Sequence, residues 1–495
     1  MPSTLVSRRA FLNSSASAFA TLAFPRIGFS QTTTSLRLEW QQFKTTPQYS
    51  SFVNAVKKMK ANTNSSSPSS WEYWSNVHLN YCPHGIPYFL AWHRGMLYYF
   101  EQQLRTVSGD SKLSVPYWNY YQYSTIPSEF TDTTPGNPLY MTRTGTNVYN
   151  ALTMAPFASN VYNFQRGTTN AYEPLYESAP HNPVHDLIGG EMANMTSPRD
   201  PIFFLHHANT DRLWHAWCLP TGKGMPPTAN PYNAATSNAY WAGSFTYASN
   251  LTMPRYKTYY PGWLNFDYSN DTVPTALPPS ARADTHGPIR LVQAQVASLV
   301  TRPANGNFVA TLARTISSTR KALGGLSGVV LNESSVTAQL PLAASNLQTV
   351  IDAVSAALHP AARSVTAFQS VIVVLDGLQM LGNGAKGGFF YNVYINLPFS
   401  TDATTARKYF LGTIGPFEVA GMAHHGMTSV DFPATEALAQ LTAFQLQDVT
   451  VSLVRVSGDN APHGAVLKVG EVRIDVSTTA PWDPSPTPVP GLCYC

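Results

Sequence analysis

The sequence predicts a mainly helical body followed by a β-rich second domain. Three observations carry this expectation. Trp, Tyr and His crowd the stretch from about Thr32 to Asp267, and some of its segments space apolar residues at helical intervals. Short β-branched runs then follow a change of composition near residue 280.

Taken in order, the chain opens with Ser7-Arg8-Arg9-Ala10-Phe11-Leu12, a mildly apolar run from Leu12 to Phe24 and a small-residue exit near Gly28-Phe29-Ser30. This reads as a twin-arginine export signal over residues 1–30, which predicts a periplasmic or secreted protein. The main domain is expected over 31–280, with helices from Tyr88 to Leu104 and from Pro201 to Trp217. Asp271 to Pro288, rich in Thr, Pro, Ala and Ser, reads as a connection. Runs such as Ser370 to Leu375, Phe389 to Ile395, Asp448 to Val454 and Val472 to Val476 predict a sandwich- or barrel-like β domain over 281–478. The prolines from Pro481 to Pro490 make 479–495 an extended tail.

Composition narrows the function classes. With 44% hydrophobic and 12% charged residues among 495, the chain is too apolar to be disordered. Arg8, Arg9 and Arg26 lie in the export segment, so its removal lowers the net charge from +4 to +1. Nucleic acid and anionic lipid, which need clustered Lys and Arg, are excluded as partners. Beyond residue 30 no apolar run reaches the roughly 18 residues that span a bilayer. The four cysteines, Cys82, Cys218, Cys493 and Cys495, are too few for a disulfide-built scaffold.

The chemistry lies in the histidines. Eight of the 13 fall in two windows: His78, His84 and His93, then His181, His185, His206, His207 and His215. His181 and His185 are four apart and share a helix face. Asp200-Pro201 opens a helix that carries His206-His207 on its second turn, which completes a three-imidazole site. His84 and His93 are out of phase on a helix, so His84 belongs to the loop that enters it, and with His78 they make a second site. Two ions held by imidazole alone point to copper rather than calcium, magnesium or two-His-one-carboxylate iron. His181-Asn182-Pro183-Val184-His185 lacks the glutamate of a zinc protease. The absence of any His-x-His pair disfavours a laccase-type oxidase.

These residues resemble the type 3 copper family of tyrosinases, catechol oxidases and haemocyanins. His84, Phe89, Leu90, Trp92, His93, Arg94, Leu97 and Glu101 fill its copper A pattern, and Asp200, Pro201, Phe203, Phe204, His207 and Asp211 its copper B pattern. The resemblance implies a four-helix bundle holding two copper ions, one on His78, His84 and His93 and one on His181, His185 and His207, with dioxygen as co-substrate. It implies that His206 faces away and that His206 and His215 are structural. It further implies a thioether between Cys82 and His84, and a water oriented by Glu177 and Asn182 that deprotonates the incoming phenol. Asp186 departs from the basic or bulky residue often found after the second copper B histidine.

The activity implied is ortho-hydroxylation of monophenols and oxidation of o-diphenols to o-quinones, which polymerise to dark, melanin-like pigment. A catechol oxidase without monophenolase activity and a haemocyanin-like oxygen carrier use the same six ligands. Lys386 to Asn396 and Phe417 to Met422 are similar to the C-terminal domain of the plant branch, which covers the site and inserts a side chain over the coppers. A copper-delivery helper is compatible with this reading, and His424-His425 is taken as incidental. Cys493-Tyr494-Cys495 suits either copper uptake or a disulfide.

Overall fold

The computed structural model describes residues 34–219, 224, 239–279, 309–359, 367–398, 403–441 and 448–480. The export signal, the second half of the connection, the tail from residue 481 and the Cys493/Cys495 pair lie outside them.

Helices dominate the first half: α1 (Gln48–Ala61), α2 (Trp71–Tyr81), α3 (Phe89–Ser108), α4 (Tyr172–Tyr176), α5 (Asn182–Ile188) and α6 (Ile202–Cys218). The two helices expected from apolar spacing form with their ends moved by one to four residues. α3 runs on to Gly109, whose φ of 75° stops it in a left-handed conformation that glycine adopts without a Cβ penalty. α6 starts after Asp200-Pro201 because Asp200 Oδ1 accepts from the Ile202 amide at 3.0 Å. The same carboxylate is gripped by Arg143 at 2.6 and 2.7 Å.

α3 packs on α6 through the stacked rings of Phe100 and Phe204, and every residue of α6 is buried. Across this contact Arg94 Nε donates to Asp211 Oδ1 at 2.6 Å, and the guanidinium lies 3.7 Å from the centre of the Trp214 ring. Glu101 accepts from Arg37 Nε at 2.9 Å and from the Val115 amide at 3.0 Å. The Arg94–Asp211 pair therefore braces the crossing of two histidine-bearing helices, while Glu101 and Asp200 tie α3 and the start of α6 to the surrounding chain.

Among the described residues, the second half holds two antiparallel sheets. Numbered along the chain, their principal strands are β1 (Val309–Thr311), β2 (Arg320–Leu331), β3 (Val336–Leu340), β4 (Ser370–Asp376), β5 (Phe389–Ile395), β6 (Phe410–Ile414), β7 (Val430–Pro433), β8 (Val449–Ser457) and β9 (Leu467–Ser477). One sheet runs β7-β4-β9-β2-β1 and the other β6-β5-β8-β3. Val373, Leu375, Val393, Leu453, Val472 and Ile474 from both sheets meet in one core. The β-branched runs form as expected because burial on both faces rewards side chains that suit a pleated surface.

Among the described residues, the two longest helices that interrupt this region are α7 (Ala344–Leu358) and α8 (Pro416–His424). In α7 the residues Val350, Ala353, Val354 and Ala357 are buried at helical spacing. Between residues 239 and 268 short strands form. Ser244–Ala248 pairs with Leu251–Pro254 as a hairpin, and Phe266–Tyr268 lies parallel to Ser35–Arg37. Among the described residues no helix is long and apolar enough to cross a membrane.

The β region is tied to the helical half by named bonds. Thr413 Oγ1 donates to the Ser178 carbonyl at 2.6 Å, the Phe417 amide to Asp186 Oδ1 at 2.8 Å, and the Gly388 amide to the Asp186 carbonyl at 2.6 Å. Phe390 and Val456 reach into the core of the helical half.

Candidate metal centre

Two groups of imidazoles meet between the helices. His78 comes from the last turn of α2, His84 from the following loop, and His93 from the second turn of α3. His181 stands at the entry to α5, His185 one turn on, and His207 on the second turn of α6. The ligand atoms of His78, Cys82, His84 and His93 lie within 4.8 Å of one another, as do those of His181, His185, His206 and His207. The two groups face each other, with the His93 and His207 rings stacked 4.2 Å apart.

Proton placement prepares these rings for a metal. Nδ1 of His78 meets the Met195 carbonyl at 2.8 Å, that of His93 the Phe89 carbonyl at 2.7 Å, and that of His185 the Met192 carbonyl at 2.7 Å. Nδ1 of His181 meets Asn182 Oδ1 at 2.8 Å. An acceptor at Nδ1 keeps the proton there and leaves the Nε2 lone pair free. The Nε2 atoms of His181 and His185 each lie 3.3 Å from His207 Nε2. Lone pairs crowded in this way are relieved by a cation between them. His78 Nε2 is buried without a hydrogen-bond partner among the described residues. Burial also lowers the pKa of all six imidazoles, His78 to about 4, so they are neutral donors at neutral pH. The donor set therefore fits two copper ions, one for each group.

The structure adjusts several expectations from the sequence. His206, expected to face away, packs its buried ring 5.1 Å from that of His181 and places a nitrogen within the second group. The reason is its position beside His207 on a helix buried on every side, which leaves no outward face. His215 lies outside both groups, its Nε2 3.3 Å from Asp267 Oδ1. Cys82 caps α2 and is buried, with Sγ 3.7 Å from His84 Nε2 and 3.3 Å from His93 Nε2. Burial, and after it the nearby Glu177, push its thiol well above the ordinary range.

Glu177 is buried one turn before His181, accepts from the Gly85 amide at 2.7 Å and pairs with Arg166. Burial raises its pKa, while the Arg166 charge opposes the rise. Asn182 reaches the centre through His181, whose Nδ1 proton it holds. One turn before Glu177 in the chain, Glu173 is pushed up to about 7 by burial.

α8 of the β region lies across the histidines. The Phe417 ring stacks on His185, centroids 4.0 Å apart and planes at 16°, and sits 5.2 Å from His84. Asp186 anchors this helix by accepting from the Phe417 amide, and a Cβ at Gly415 would overlap its carboxylate. This accounts for the unusual residue after His185: its carboxylate receives the start of α8. Sequence reasoning did not single out Phe417, Arg166, Met192 or Met195. Phe417 heads a segment already noted, whereas Met192 and Met195 act through carbonyls that any residue could supply.

A family model described as the common central domain of tyrosinase matches residues 49–160 and 132–219. The chain is 33% identical over 196 residues to a tyrosinase of Hahella sp. (strain CCB-MM4), a stretch that covers 32% of this chain and 42% of that protein. It is 28% identical over 216 residues to a latent-form chloroplastic polyphenol oxidase of Prunus armeniaca, covering 32% of this chain and 36% of the other. The chain thus aligns with less than half the length of either relative. The solved structure of latent apple tyrosinase superposes with a TM-score of 0.49 at 19% identity, over 90% of this chain and 98% of that one.

Proposed function

As a member of the type 3 copper family, whose tyrosinase central domain it carries at residues 49–219, this chain is, we propose, an oxygen-dependent phenol oxidase of the tyrosinase type. It would ortho-hydroxylate monophenols and oxidise o-diphenols to o-quinones that polymerise to melanin-like pigment. The observation that carries this reading is the pair of facing imidazole groups with their Nε2 atoms turned inward.

His78, His84 and His93 would hold one copper, and His181, His185 and His207 the other. Two coppers, when bound, supply the two-electron chemistry with dioxygen. The protein supplies the rest. Main-chain carbonyls and Asn182 fix ring orientation, and the buried walls exclude water. Glu177, held by Arg166 and Gly85, is the group placed to accept a phenolic proton through a water. Phe417 stands where a phenol ring would lie against His185, so the β region keeps the enzyme latent until α8 is displaced or removed. A Cys82–His84 thioether would restrict His84, and mass spectrometry of the intact protein would show it as the loss of two hydrogens. We also propose that the protein is exported by the twin-arginine route and that a helper protein delivers its copper.

One observation favours a second reading. Both Glu177 oxygens already have partners, which leaves it less able to help deprotonate a monophenol and suits a catechol oxidase that takes o-diphenols alone. Oxygen uptake by the copper-loaded protein, freed of its β region by limited proteolysis, separates the two. Uptake with a monophenol and an o-diphenol supports the tyrosinase; uptake with the diphenol alone gives the catechol oxidase. Reversible oxygen binding with no turnover would replace both by an oxygen carrier.

A further inference from the structure

α8 brings more than Phe417 to the metal centre. Phe417, Gly421 and His424 are spaced four and three apart, so they share one helix face. Phe417 lies on His185, and a Cβ at Gly421 would sit 3.3 Å from Met195 Sδ. Met195 in turn holds the Nδ1 proton of His78 through its carbonyl. The face therefore runs from the second histidine group towards the first and ends at His424, which is exposed. His425 follows as the cap, half-exposed, its ring 5.2 Å from that of His424. The C-terminal end of this nine-residue helix carries partial negative charge, which favours a bound cation.

We infer that His424 and His425 form a copper entry site on the solvent side of the His78, His84 and His93 group, taking up cuprous ion and passing it inward. Imidazole is a suitable ligand for copper, and the two adjacent rings offer a nitrogen each to one ion. Transfer is ligand exchange. Copper–nitrogen bonds to His424 and His425 break as bonds to imidazoles of the His78, His84 and His93 group form, and no electron or proton moves because His78 keeps its Nδ1 proton on Met195. The inference rests on the two imidazole groups taking copper and not on which phenol is oxidised.

The test follows copper content against time after the metal-free, full-length protein is mixed anaerobically with Cu(I) on a weak chelator. The double variant His424→Gln/His425→Gln should fill about ten-fold more slowly, the lower end of what losing outer partners of a metal site does to affinity, and still reach two coppers per chain. His359→Gln, at the exposed end of α7, should fill at the wild-type rate. Equal rates for all three proteins would overturn the entry site while leaving the dicopper reading intact. A wild-type protein that takes up no copper would overturn both.

Discussion

Whether a buried imidazole can hold a metal depends on which nitrogen carries its proton, and in this centre four neighbours decide it. The carbonyls of Phe89, Met192 and Met195 and the side chain of Asn182 each take an Nδ1 proton. Only Asn182 among them can be changed without touching the backbone. Asn182→Leu should weaken copper at the His181 group by about 10–100-fold, the range for loss of such an outer partner, as read by competition with a chelator. Unchanged affinity would mean that the bond does not orient His181. At the same scale, Phe417→Ala removes a ring whose burial contributes about 1.5–3 kcal/mol. That should raise oxygen uptake by the uncleaved protein roughly 10–100-fold, since each 1.4 kcal/mol is a factor of ten. No rise would show that the ring does not block the centre. The two histidine groups were legible because they crowd into two windows of the sequence, and the four-residue step from His181 to His185 encodes a shared helix face. The acceptors behind them were not, since a carbonyl leaves no mark in the residue type.

Among the elements, the crossing of α3 and α6 does most to set the site. The pair Arg94–Asp211 is buried in it, and Asp211→Ala would strand the guanidinium. The expected cost is about 3–5 kcal/mol in chemical denaturation, the range for breaking one side of a buried ion pair. A loss well below 1 kcal/mol would remove the brace from the account. α8 illustrates what sequence left unread. Its nine residues stand among strands, and their apolar pattern is too short to separate helix from strand. The element also carries Glu418, pushed up to about 8 from its ordinary 4.5 by burial, then by the nearby Glu177, with Arg166 opposing. Between those two values the folded chain keeps a proton that the unfolded chain gives up, so stability falls as pH rises. Glu418→Gln escapes this loss. Its melting temperature relative to wild type should be level near pH 4.5 and pull ahead towards pH 9. A constant difference across that range would contradict the assignment.

For the molecule as a whole, the helical body and the β-rich region that follows were legible because each kind of element writes its own period. Tyr88 to Leu104 showed helical spacing, and Ser370 to Leu375 showed a buried strand. Their meeting was not legible. The Asp186–Phe417 bond and the Ser178–Thr413 bonds join residues more than 200 positions apart, and no local pattern encodes such a contact. This is also why Asp186 looked anomalous in the sequence and is explained by the fold. The two halves place a soft, neutral, imidazole-rich chamber under an aromatic side chain from elsewhere in the chain. Copper K-edge X-ray absorption of the loaded protein tests that arrangement most directly. The account predicts two coppers per chain, each coordinated by nitrogen and oxygen with three imidazoles; one copper per chain, or a sulfur ligand from Cys82, would contradict it.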